Sequence, residues 1–215
     1  MNIHELMAEL AIKRPLFHSE ADFQHALAWE IRSRFPDARI RLEYRPSGFD
    51  RMYVDMWVVL ANGAPFAIEL KYKTRAFSME HLGEAHELLD QSAQDQGRYD
   101  FLLDVFRLEY LTKEQPAARG MAILLTNDSS YWAPARSADA VDSAFRLHDG
   151  RTVTGRLAWG RGASAGTTRG REKIIPLTGA YDVKWHKYSE MPEKKRGLFK
   201  YALLNIQAGR EMNEH

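Results

Sequence analysis

Three strand signals follow one another between residues 39 and 73, and the loop joining the second to the third constrains the fold more than anything else in the chain. Arg39-Ile40-Arg41-Leu42-Glu43-Tyr44-Arg45 alternates apolar and charged side chains with period two, as a half-buried strand does. Pro46-Ser47-Gly48 turns the chain. Tyr53 to Leu60 and Pro65 to Lys73 are the second and third strands, and Ala61-Asn62-Gly63 between them is a hairpin signal. A two-residue loop, Asn62-Gly63, pairs position 55 with 70 and turns Asp55 away from Glu69. A three-residue loop pairs 55 with 69 and makes the two carboxylates neighbours, ~5 Å apart at Cβ. Ala-Asn-Gly suits the longer loop, a type I turn followed by a left-handed glycine in a bulge.

Helices flank this meander. Residues 2–10 read as a short helix. Ser19 is an N-cap, with Asp22 three residues on, for a helix that runs to about Arg34 and stops before Pro36. Residues 80–113 read as one long helix with Gly97 as a possible break. Met121 to Thr126 is a short buried strand, and Ser137 to Phe145 a further candidate helix. Residues 145–185 read as short strands around a Gly-rich loop, and Leu198 to Gln207 as a last strand. The expected class is α/β (α+β), with a mixed sheet and helices packed on it. With 215 residues, a single domain is expected, its core at about 18–126 and a β-rich extension over 127–215.

Composition excludes several chemistries. There is no cysteine, hence no disulfide, thiol nucleophile or Cys-ligated metal. No apolar run, Met121 to Leu125 included, approaches the ~18 residues of a membrane span, so no membrane partner is expected. His4, Glu5 and Glu9 stand where a signal peptide would be apolar, and a cytoplasmic location is expected. The formal charge of +1 argues for no anionic partner by itself. Its distribution does: residues 1–135 carry 15 basic and 20 acidic side chains, whereas residues 136–215 carry 15 and 9.

The chemistry concentrates in the hairpin. Asp55 lies between Val54 and Met56, and Glu69 between Ile68 and Leu70, with Lys71 two residues later on the same strand face. Burying an unpaired carboxylate costs several kcal/mol, roughly, so acids in such apolar surroundings need a partner, water or a cation. Neighbouring carboxylates invite Mg²⁺ or Mn²⁺, which take few protein ligands and retain several waters. Such an ion activates water and neutralises phosphate charge. Lys71 is then placed to orient that water, to act as general base if its pKa is depressed, or to clamp the phosphate.

Asp55, thirteen intervening residues and then Glu69-Leu70-Lys71 resemble the signature of the PD-(D/E)XK nuclease superfamily, with Val54 where the superfamily's name has proline. The order helix, three-strand meander, helix, strand resembles its restriction-endonuclease-like core over roughly residues 18–126. The resemblance implies metal-dependent phosphodiester hydrolysis, usually of DNA, by an endonuclease of the kind that often acts as a homodimer. Asp55 and Glu69 would hold the metal and Lys71 would act on the water. It also implies a further acid from the first helix of that core. Glu20, in the middle of the Phe23/Leu27/Ile31 stripe, and Glu30, on its flank, are the candidates. The helix N-terminus by itself also accounts for an acid at Glu20. The alternatives are a non-catalytic nucleic-acid-binding or protein-partner module on the same fold, and an unrelated α/β protein whose hairpin charges are incidental.

Other basic and polar residues could extend such a site. Lys73 shares the face of Lys71, where it would touch a phosphate or end the strand in solvent. Arg161, Arg169 and Arg171 punctuate the Gly-rich stretch 160–171, a surface loop or a flap for a nucleic-acid backbone, with Arg151 and Arg156 on adjacent strands. Gln91, Gln94 and Gln96 precede Tyr99 at spacings that miss a Gln-x-x-x-Tyr element, and polar helix surface accounts for them. Lys194-Lys195-Arg196 reads as a solvated turn. The histidines show no metal-binding spacing, and all five tryptophans are expected in the core.

Overall fold

The computed structural model describes residues 1–50, 52–61, 63–115, 118–134 and 139–207. The chain opens with two helices, α1 (Ile3–Lys13) and α2 (Glu20–Arg34). Ser19 caps α2 as expected, its hydroxyl accepting from the Asp22 N–H at 3.1 Å. The meander follows as β1 (Arg39–Tyr44), β2 (Val54–Val59) and β3 (Pro65–Lys73). A hairpin, β4 (Phe77–His81) and β5 (Glu84–Leu88), precedes the long helix α3 (Gln94–Glu114) and β6 (Arg119–Thr126). The rest comprises a 3₁₀ turn (Ser143–Phe145), β7 (Thr152–Leu157), a one-turn α4 (Ala165–Thr168), β8 (Ile175–Asp182), β9 (Trp185–Glu190) and β10 (Leu198–Ile206).

Six strands form one mixed sheet in the order β1-β2-β3-β6-β10-β9. Only β3 and β6 run parallel, Glu69 opposite Ala122 and Lys71 opposite Leu124, and α3 makes the crossover between them. The extension beyond residue 127 supplies β10 and β9, two of the six strands. Each sheet face has its own core. Phe17, Phe23, Leu27 and Ile31 of the α1–α2 side cover Met56, Ile68, Leu70 and Ile123. On the other face Leu102, Val105 and Leu108 of α3, with Val153 and Leu177 of the β7–β8 hairpin, cover Ala67, Ala122 and Leu124. Cores on both faces explain why β6 is buried along nearly its whole length and shows no alternation. Among the described residues no helix is long and apolar enough to cross a membrane.

The β2–β3 register is the three-residue-loop register: Met56 faces Ile68 and Val59 faces Pro65, which carries Asp55 opposite Glu69. Asn62, the centre of the expected loop, lies outside the described residues.

Several expectations need correction. Residues 80–88, expected to open the long helix, belong instead to the β4–β5 hairpin, and the helix begins at Gln94. Leu82 and Gly83 both take positive φ (53° and 80°), a two-residue turn of the kind that matches strand twist. Gln91 consequently precedes the helix. Gly97 does not break α3. A β-carbon there would come within 2.3 Å of the Tyr131 hydroxyl, so glycine is required by close packing. Of the Ser137–Phe145 helix only the 3₁₀ turn is formed among the described residues, Ser137 itself lying outside them. Trp29 is 76% exposed on the outer side of α2, beside Arg32 and Arg41, and not in the core. Trp185 is buried, and Trp57, Trp132 and Trp159 pack partly buried against the α3-side core.

The Gly97–Tyr131 approach gives a test. Gly97→Ala raises helix propensity by ~1 kcal/mol, yet it is expected to lower stability by about 1–2 kcal/mol through overpacking. Tyr131→Phe in the same chain should restore most of the loss in urea unfolding. If the single variant is more stable than the parent, the close-packing account fails.

Candidate active site

Hydrogen bonding at the end of β3 builds the site. The ladder between β2 and β3 ends at Met56–Ile68, while β3 runs on to Lys73. Beyond that point the amides of Leu70 and Tyr72 find carboxylates. Leu70 N–H donates to Asp55 Oδ2 at 2.6 Å, and Tyr72 N–H donates to Glu20 Oε2 at 2.8 Å. A buried amide left unpaired would be costly, so the departure of β2 draws two acids onto the strand. Glu20, in the first turn of α2, thus reaches the strand that carries Glu69 and Lys71.

Gln24, one turn further along α2 and buried, fixes the backbone of Asp55. Its Nε2 donates to the Asp55 carbonyl at 2.6 Å and to Glu43 Oε1 at 2.9 Å. Glu43 carries a positive φ of 47°, a strained conformation for a side-chain-bearing residue, at the place in β1 where the ladder to β2 skips Asp55.

From the opposite side α3 contributes Asp104 and Arg107. Asp104 Oδ2 is 2.8 Å from Lys71 Nζ, and Asp104 Oδ1 accepts from Arg107 Nη1 at 2.9 Å. Arg107 Nη2 also donates to the Tyr53 carbonyl at 2.6 Å, and Lys71 Nζ to the Leu70 carbonyl at 3.2 Å. Glu69 is 3% exposed. Its Oε1 has no hydrogen-bond partner among the described residues, and Arg107 Nη1 stands off at 3.6 Å.

Among the described residues, four carboxyls therefore meet two cations, and the directions in which they titrate reflect the imbalance. Burial, then the charges of Asp104 and Asp55, push Glu69 up to about 9 against the opposing Arg107 and Lys71. Burial chiefly raises Asp55 as well, with the Leu70 amide and Lys71 working against the rise. Burial alone would lower Lys71, but Asp104, and after it Glu20 and Asp55, outweigh burial and hold the ammonium above the ordinary lysine range. That bears on the roles open to Lys71: it is a cation, a donor to water or phosphate, and not a neutral base.

The structure brings together Asp55, Glu69, Lys71 and Glu20. It does not bring Glu30, which is buried in a bidentate ion pair with Lys13 between α1 and α2 at 2.7 and 2.8 Å. Lys73 shares the face of Lys71 but leans towards the start of α3, its Cε 3.8 Å from where a Gly97 β-carbon would be. Arg171 is held by Asp100 in a bidentate pair at 2.7 and 2.8 Å, and Arg151 caps the carbonyls of Ser143 and Ala144. Arg161, Arg169 and Arg156 are exposed. Gln94 donates to Asp128 and Gln96 to the Gly166 and Thr167 carbonyls, both away from the four acids.

Sequence reasoning missed Gln24, Asp104 and Arg107. The signal for the last two was period: Asp104 and Arg107 are three apart on α3, among residues buried against the sheet, where a charge needs a partner.

The raised carboxyl of Glu69 makes a pH prediction. Its folded pKa lies above its ordinary 4.5, so between about 4.5 and 9 the native chain keeps a proton that the unfolded chain has released. Its contribution to stability is complete below 4.5 and is lost as the pH rises through about 9. Unfolding in urea with chelator present should show stability falling across that range. Glu69→Gln should flatten the fall and exceed the parent at pH 9 by at least about 1 kcal/mol. An unchanged slope in the variant would show that Glu69 titrates normally.

No protein-family model, no curated protein and no solved structure matches the chain.

Proposed function

We propose that the protein is a metal-dependent nuclease that hydrolyses phosphodiester bonds, most naturally in DNA, on a restriction-endonuclease-like core. The observation that carries this reading is Glu69: a buried carboxyl with an orphaned oxygen, opposite Asp55, in a cluster with more acid than base. The donor set fits Mg²⁺ or Mn²⁺. The four acids do not form a trio of donors within 4.8 Å of one another, a condition met among the described residues only elsewhere in the molecule. Two carboxylates completed by water are what Mg²⁺ commonly takes from a protein.

On this reading Asp55 and Glu69 hold the ion, which, when bound, supplies water activation and charge neutralisation at the phosphate. Glu69 loses its proton on binding, so metal affinity rises with pH below about 9. Asp55 enters already oriented, one oxygen on the Leu70 amide and its backbone on Gln24. Lys71, held cationic, donates to the attacking water or to a phosphate oxygen, taking its proton-donating bonds from Asp104 as the substrate arrives. Arg107 is the second cation within reach of the same space. Glu20 keeps the end of β3 in place and adds negative charge beside Lys71. Arg161 and Arg169 offer exposed charge for a backbone.

The test is a Mg²⁺/Mn²⁺ cleavage screen over plasmid, single-stranded and branched DNA. Asp55→Ala and Lys71→Ala are expected to lower cleavage by at least ~10²-fold with folding retained. Mg²⁺ should raise the Tm of the parent chain and much less that of Asp55→Ala. Full cleavage by purified Asp55→Ala protein would refute the assignment. Mg²⁺-dependent filter binding of DNA without cleavage would favour a binding module.

A further inference from the structure

The β4–β5 hairpin carries a second group of ligating side chains, apart from Asp55 and Glu69. Glu84 and His86 are two residues apart on β5 and project from the same face. His18, in the loop leading into α2, lies against them. Its Nε2 is 2.8 Å from Glu84 Oε1, and His86 Nε2 is 3.8 Å from Glu84 Oε2. The three donors lie within 4.8 Å of one another. His86 is 2% exposed, and its Nδ1 is buried without a hydrogen-bond partner among the described residues. A buried imidazole placed this way lacks the partners that such groups ordinarily have.

We propose that His18, Glu84 and His86 bind Zn²⁺ and so clasp the hairpin to the segment that enters α2. Two imidazoles and a carboxylate are a zinc donor set, and three protein ligands leave a fourth position for water. Zinc–ligand distances of about 2.0–2.2 Å put tetrahedral donors about 3.3–3.5 Å apart. His18 Nε2 lies 2.8 Å from Glu84 Oε1 and His86 Nε2 3.8 Å from Glu84 Oε2, one distance below and one above that spacing, each to a different oxygen of the carboxylate. The ion replaces the proton shared between His18 and Glu84. One rearrangement is needed. The two rings stack, 4.3 Å between centroids and 13° apart in plane, so their lone pairs run side by side. His86 is fixed by burial, whereas the side chains of His18 and Glu84 are 40% and 58% exposed and have room to turn. The His18 backbone need not move, because its N–H is held by Asp22 Oδ2 at 2.9 Å. Asp22 also pairs with Arg14 through both oxygens, offsetting the nearest guanidinium charge.

The experiment is calorimetric titration of the chelator-stripped full chain with ZnCl₂, with Co²⁺ as a spectroscopic substitute. One equivalent should bind, raising the Tm, with visible Co²⁺ bands of a four-coordinate site. His18→Ala and Glu84→Gln alter exposed side chains and should fold, which circular dichroism checks. Each is expected to weaken Zn²⁺ by at least about tenfold and to abolish the Co²⁺ bands. Asp55→Asn with Glu69→Gln should keep full zinc stoichiometry, which separates this site from the proposed nuclease centre. Absence of binding by the parent chain would overturn the proposal. So would unchanged affinity in both hairpin-side variants, or loss of binding in the Asp55/Glu69 variant instead.

Discussion

Two backbone amides organise the candidate site. Where β2 leaves β3, the N–H groups of Leu70 and Tyr72 lose the β2 ladder, and Asp55 and Glu20 supply carboxylates in its place. These bonds do what a ladder does, satisfying buried N–H groups. They also do what a ladder cannot, gathering negative charge at the end of a central strand. The side chains on the opposite face of β3 are ordinary core, Ile68, Leu70 and Tyr72 packed under α1 and α2. The strand can carry Glu69 and Lys71 on one face because the other anchors it.

The electrostatics follow from that anchoring. Once Asp55 and Glu20 are held on the strand, Glu69 and Asp104 add two more carboxyls to the same space, with Lys71 and Arg107 the cations against them among the described residues. Burial keeps water from screening the excess, and the group with the fewest hydrogen bonds, Glu69, takes up the proton. The same acids hold Lys71 charged. A chain needing only stability would gain more from an apolar residue at 69 than from a protonated glutamate. That inequality is the physical content of the functional reading: the charge excess makes sense if something cationic relieves it.

Legibility followed local rules. The alternation at 39–45, the Ser19 cap and the turn residues of the second hairpin loop are short-range signals, and the elements and register they imply match the structure. Asp55 opposite Glu69 followed from loop length alone. Glu20 was visible as an acid on a buried stripe, and Glu30 was equally visible, but only tertiary packing could decide between them. Lys13 on α1 claims Glu30, whereas the terminus of α2 places Glu20 at the strand. Gln24 and Asp104 act across elements, through contacts 31 and 33 residues distant along the chain, and no local pattern announces such pairings.

The misread hairpin shows why local rules fail where they do. Residues 80–89, Glu-His-Leu-Gly-Glu-Ala-His-Glu-Leu-Leu, are mostly good helix formers. Helical propensity here amounts to a few tenths of a kcal/mol per residue. Against it stand Phe77 and Leu88, which pair across the hairpin and are buried in the α1–α2-side core, and Gly83, which permits the tight turn. The strand period is present but disguised. His86 occupies a buried position that a valine would have made obvious, with Met79 opposite it and His81 opposite Glu84. Polar residues that could ligate a metal at apolar-face positions hide a strand from pattern reading. They are also what makes that strand worth testing as more than a connector.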